Sequence, residues 1–101
     1  MTENEPSLDA LRSAVQLACR PQNAGRIMAG RHQVLALPRD WVLERIEQVA
    51  VEALDLSDYW EYRRILELAA LLNGALVQRI VAPGLNSLDP DVREAAQDFR
   101  M

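Results

Sequence analysis

The chain has 101 residues, of which 50% are hydrophobic and 26% charged, and its formal net charge is −4. That size and balance predict one compact domain and exclude a disordered or fibrous chain. No apolar run approaches the roughly 18 residues of a membrane span, and the start Met1-Thr2-Glu3-Asn4-Glu5 lacks the basic region of a secretory signal. A cytoplasmic protein with a flexible start over residues 1–6 and a single helical domain over residues 7–101 is expected.

Taken in chain order, helix signals are dense and strand signals almost absent. Ser7 behind Pro6 is a good N-cap, and Leu8, Leu11, Val15 and Ala18 recur on one side of a helix that ends at Arg20-Pro21. Residues 22–37 read less clearly, because Gly25 and Gly30 each cost about 1 kcal/mol in a helix interior relative to alanine. Ile27, Met28, Val34 and Leu35 nevertheless keep helical spacing, which predicts a second, weaker helix after Asn23. Pro38 suits the first turn of a third helix, with Val42, Ile46, Val49 and Ala53 on its apolar face and an acidic stripe opposite. Ser57 or Asp58 then caps a fourth helix, and Asp58 with Glu61 approximates a capping box.

The fourth helix is expected to stop at Asn73-Gly74 in a left-handed conformation. Its second half, Ile65 to Leu72, is apolar on nearly every side, so it belongs at the centre of the core. Residues 75–82 predict a shorter helix, bent or stopped at Pro83-Gly84. Asp89 caps the last helix, Pro90 opens it, and Val92, Ala95, Ala96 and Phe99 line one face.

A repeat underlies this series. Arg31, Arg63 and Arg93 lie 32 and 30 residues apart, and Asp58 and Asp89 occupy matching places 31 apart. Three helical hairpins follow. The run Leu85-Asn86-Ser87-Leu88-Asp89-Pro90-Asp91-Val92-Arg93-Glu94-Ala95-Ala96 resembles the second half of a HEAT-type repeat, in its turn aspartates, its Val-Arg pair and the alanine that follows. The resemblance is specific over residues 85–99 and looser over residues 54–73. It implies an all-α fold of three hairpins stacked as a short α-solenoid, with aspartates capping turns and arginines tying neighbouring repeats. Gly25, Gly30, the extra residue between Asp58 and Arg63, and the Pro83-Gly84 break depart from a regular repeat. An irregular helical bundle is the alternative.

Charge is unevenly spread. Residues 1–11 hold three acids and no base, residues 12–39 five arginines and no acid, and residues 40–101 twelve acids against six arginines. Every basic residue is arginine, whose planar fork favours paired contacts with carboxylates; a GC-rich genome would produce the same bias.

Residues for chemistry are few. Cys19, the only cysteine, cannot form an internal disulfide and reads as a small buried residue. His32 has no metal-spaced partner, and no phosphate loop or nucleophile motif is present. Neither an enzyme nor a bound cofactor or metal is expected.

Two surfaces stand out instead. Asp40, Glu44, Glu47 and Asp55 fall near one line of the third helix with no base among them, a negative ridge suited to a basic partner or simply a solvated face. Trp60, Arg64, Glu67 and Leu71 follow on one side of the fourth helix, and Trp and Arg are enriched in binding hot spots. A partner-binding module of inhibitor, immunity or adaptor type is the expectation. Self-association as an assembly subunit is the alternative. Nucleic-acid binding by the Arg12–Arg39 region is the weaker idea, since interleaved aromatics are missing.

Overall fold

A computed structural model of the chain describes residues 6–101, in which six α-helices and no strand occur. They are α1 (Leu8–Cys19), α2 (Ala24–Leu35), α3 (Arg39–Ala53), α4 (Tyr59–Leu72), α5 (Gly74–Gly84) and α6 (Pro90–Phe99). The expected flexible start lies outside the described residues, except for Pro6.

Side-chain caps explain where most of these helices begin, because each accepts a backbone N–H that the first turn would leave unpaired. Ser7 accepts from the Ala10 amide at 3.3 Å, Asn23 from Arg26 at 3.1 Å, Asp58 from Glu61 at 2.9 Å and Asp89 from Asp91 at 2.8 Å. Only α3 starts without one, behind Pro38. The capping box at α4 is half formed: Glu61 turns its carboxylate to the Asp55 amide, 3.0 Å away, rather than to Asp58.

Two boundaries differ from the sequence expectation. Asn73 is extended, with φ −169° and ψ 132°, and no residue among those described has positive φ. It closes α4 and caps α5 at once, accepting from the Leu76 amide at 3.1 Å, so one residue joins the two helices. α5 also continues through Pro83 to Gly84. Pro83 removes one bond of the helix ladder, and α5 ends one residue later. The Tyr62 hydroxyl donates to the Ile80 carbonyl at 2.8 Å beside it.

The core is built around α1 and α4. α1 packs on α2, α3 and α4, while α4 also packs on α5 and α6, and α5 on α6. Leu11, Ala14, Val15, Ala18 and Cys19 of α1 are buried, as are Tyr62, Ile65, Leu66, Leu68, Ala69 and Leu72 of α4. Each fully buried aliphatic side chain of this kind contributes about 1.5–3 kcal/mol. α3 touches α4 and α5 only lightly, although it precedes α4 directly in the chain. The molecule measures 48 × 27 × 20 Å.

Gly30 explains how a helix with poor propensity is retained. It is buried against α1, where a Cβ would fall 2.7 Å from the Ala18 Cα and from the Leu17 carbonyl carbon. Close approach of two backbones needs the missing side chain, and the contact offsets the propensity cost. Ile27 and Val34 of α2 face inward, whereas Met28 and Leu35 are exposed. Leu8 is likewise exposed rather than part of the α1 core face.

Candidate functional site

The outer face of α4 carries Trp60, Arg64, Glu67 and Leu71 together. The Arg64 guanidinium lies 5.2 Å from the centre of the Trp60 ring, and Tyr59 meets that ring edge-on at 4.9 Å. Glu67 is a hub for three arginines: Arg31 of α2 at 2.6 Å, Arg64 at 3.1 Å and Arg63 at 3.7 Å. Arg63 continues the network to Asp98 of α6 at 3.1 Å and lies 5.4 Å from the Phe99 ring centre. The hydrogen bond to Asp98, followed by the charges of Tyr59, Asp98 and Glu67, raises the Arg63 pKa above its ordinary value against the opposing effect of burial.

α2 borders this face through Arg31, which reaches Glu67, and Arg39 at the start of α3 donates to the carbonyl of Leu72. Four large apolar side chains flank the ionic hub: Met28 is 48% exposed, Leu35 45%, Trp60 45% and Leu71 54%. Helical spacing grouped Met28 and Leu35 with Ile27 and Val34 without separating an inward from an outward face. The missed signal is adjacency, since Ile27-Met28 and Val34-Leu35 are neighbouring pairs and one helix face takes only one member of each.

Asp40, Glu44 and Glu47 are exposed along α3, whereas Asp55 lies in the turn beyond its end at Ala53, where the extended Leu54 breaks the expected helical line. Bases join these acids. Glu44 is 3.1 Å from Arg45, whose guanidinium sits 4.8 Å from the Trp41 ring centre. Glu47 pairs with Arg79 of α5 at 3.0 Å. Asp55 accepts from the hydroxyl of Ser57 at 2.5 Å and from its amide at 3.0 Å, and these bonds, the hydroxyl first, hold its carboxyl below the usual range. Val51 interrupts the stripe and is 61% exposed.

The arginines of residues 12–39 are largely engaged with acids of this chain. Arg12 pairs with Glu52 at 3.3 Å and Arg20 with Glu61 at 3.8 Å, beside the Arg31–Glu67 contact. His32 is exposed. Burial pushes the Cys19 thiol up to about 12, so the thiolate needed for nucleophilic chemistry is disfavoured. Among the described residues no helix is long and apolar enough to cross a membrane, and no three His, Cys, Asp or Glu side chains gather as a metal cluster.

Comparison with family models, with characterised proteins and with solved structures finds no match for the chain.

Proposed function

We propose that this chain is a small cytoplasmic protein-binding module that acts by docking, without covalent chemistry or a cofactor of its own. The observation that carries the reading is the face formed by α2 and α4, where Met28, Leu35, Trp60 and Leu71 expose apolar surface around the Arg31–Glu67–Arg64 hub. Apolar and aromatic anchors beside arginine are the composition of binding hot spots, and such a cluster on an isolated chain marks an interaction surface. The acids Asp40, Glu44, Glu47 and Asp55 support a second surface, for a basic partner, as in an inhibitor, immunity-type or adaptor protein. Self-association through the α2–α4 face, as an assembly subunit, is the alternative reading.

The HEAT-like arrangement of three hairpins belongs to the same proposal. It is supported by the capping aspartates Asp58 and Asp89 and by two inter-hairpin ties, Arg31 to Glu67 and Arg63 to Asp98.

The test uses the full chain as bait in an extract of its source cells, alongside Trp60→Ala and Leu71→Ala. A partner held by the wild type and lost from both variants, with their helicity unchanged, is the expected result. Light scattering is run in parallel. A stable multiple that Leu71→Ala returns to one chain would move the face to the assembly reading, and an identical capture by all three proteins would discard it.

A further inference from the structure

We infer that the α2–α4 face binds an acidic segment of a partner protein, whose carboxylate pairs with Arg31 and Arg64 while apolar side chains on either side of it cover Trp60 and Leu71. The inference rests on the reading of this face as an interaction surface, and adds the charge and spacing of what it holds.

The balance of charge selects the sign. Arg31, Arg63 and Arg64 meet only two carboxylates among the described residues, Glu67 and Asp98. Arg63 takes Asp98 at 3.1 Å, which leaves Arg31 and Arg64 to share Glu67. Glu61, the other acid of α4, pairs with Arg20 at 3.8 Å. One positive charge is therefore in excess here, in a chain whose net charge is −4. The side chains of Arg31 and Arg64 are only 20% and 22% exposed, so water compensates the excess incompletely. Donors are in excess as well. Each guanidinium carries several N–H groups, yet Arg31 bonds Glu67 through Nη2 and Arg64 bonds it through Nη1, and Arg31 Nε has no partner.

Arg64 is also held ready. Its guanidinium lies 5.2 Å from the centre of the Trp60 ring, and Tyr59 meets the same ring edge-on at 4.9 Å. A fork fixed against an aromatic ring loses little freedom when a carboxylate arrives, and its planar shape suits that group.

Apolar side chains set the length of the occupant. Trp60 and Leu71 share one side of α4 about 16 Å apart, at 1.5 Å per residue, with Arg64 and Glu67 between them. Met28 and Leu35 flank Arg31 on α2, and all four apolar side chains are about half exposed. α1 packs on both helices and supports the face from within. The segment that fits carries apolar side chains about 16 Å apart with an aspartate or glutamate between them, which is about three turns of helix. A basic segment would add to the excess charge. A second copy, meeting this face about a two-fold axis, would bring the same excess with it.

The probe is a labelled helical peptide of about four turns, with leucines at both ends of one side and glutamates between them. It is titrated into the full chain by fluorescence anisotropy and amide chemical shifts. Expected are shifts at Met28, Arg31, Trp60 and Leu71, and affinity losses of about tenfold for Arg64→Gln, for Leu71→Ser and for a peptide with glutamine in place of glutamate. Arg26→Gln removes an equal charge about 140° round α2 from Arg31, and should leave affinity unchanged. If capture from extract needs Trp60 and Leu71, but a leucine–lysine peptide binds as tightly as the leucine–glutamate one, the face stands and the acidic occupant is discarded. Binding that Arg64→Gln weakens and that neither Trp60→Ala nor Leu71→Ser affects is held by charge alone, and overturns both readings. Absence of binding at low salt overturns the inference and leaves the face to the capture experiment. A single-stranded oligonucleotide that displaces the peptide and ignores Leu71→Ser would assign the arginines to phosphate and overturn the inference. So would a stable dimer that Leu71→Ser returns to one chain, which gives the face to a second copy.

Discussion

Gly30 of α2 and Ala18 of α1 meet backbone to backbone, so closely that a Cβ on residue 30 would fall 2.7 Å from the Ala18 Cα. A flexible side chain could move aside, but a helix backbone cannot without shifting the whole of α1 against α3 and α4. Gly30→Ala is therefore expected to lose about 2 kcal/mol of stability, overpacking of 1–3 kcal/mol exceeding a helix-propensity gain of about 1. Gly74→Ala, where nothing lies within 4 Å, should be neutral or stabilising. Urea denaturation of the two variants measures the contrast, and equal midpoints would refute the close crossing.

Tyr62 ties α4 to the end of α5. Its hydroxyl donates to the Ile80 carbonyl at 2.8 Å, and Gly84 lies so near the ring that a Cβ there would fall 2.9 Å from Cε2. Burial pushes the phenol from 10.0 up to about 12. The folded state thus keeps the proton to higher pH than the unfolded state does. The stabilising contribution is complete below pH 10, declines as the pH rises, and is gone by about 12. Tyr62→Phe should cost about 1 kcal/mol near neutral pH and flatten the fall above pH 10. Stability curves across that range would show a parallel fall in both proteins if Tyr62 were not its source.

Glu67 pairs with three arginines on two helices, and Arg31 Nε is shut off from solvent with no partner of its own. Removing the carboxylate strands Arg31 half inside the protein, which costs more than losing an exposed ion pair. Glu67→Ala is expected to lose about 2 kcal/mol, between the values for surface and buried pairs. Combined with Arg31→Ala, the losses should be non-additive by 0.5 kcal/mol or more. A Glu67→Ala cost below about 0.5 kcal/mol would reduce the hub to ordinary surface charge.

The helices at either end were the most legible, because their signals are local. Ser7 before an amphipathic run, and Asp89-Pro90 before another, act within four residues of the helix start. Asn73-Gly74 misled for the opposite reason. The dipeptide suits a left-handed stop, but Leu76, Val77 and Ile80 bury themselves, and the tight α4–α5 junction extends Asn73 instead. Trp60, Arg64 and Glu67 were legible as one face from their spacing. Met28 and Leu35, which complete that face, were not, because spacing alone cannot say which of two adjacent apolar residues turns inward.

Spacing and capping chemistry in the sequence by themselves determined that the described residues are all-helical, where α1, α2, α4 and α6 begin, and that α4 lies at the centre. Tertiary structure alone decided which charges are spent inside the molecule and which apolar groups remain outside. Glu67 meets Arg31 across 36 residues of sequence and Glu47 meets Arg79 across 32. The physical reason is range: a cap or an amphipathic stripe acts within a few turns of one helix, whereas an ion pair or a cleft depends on how separate helices are set against each other.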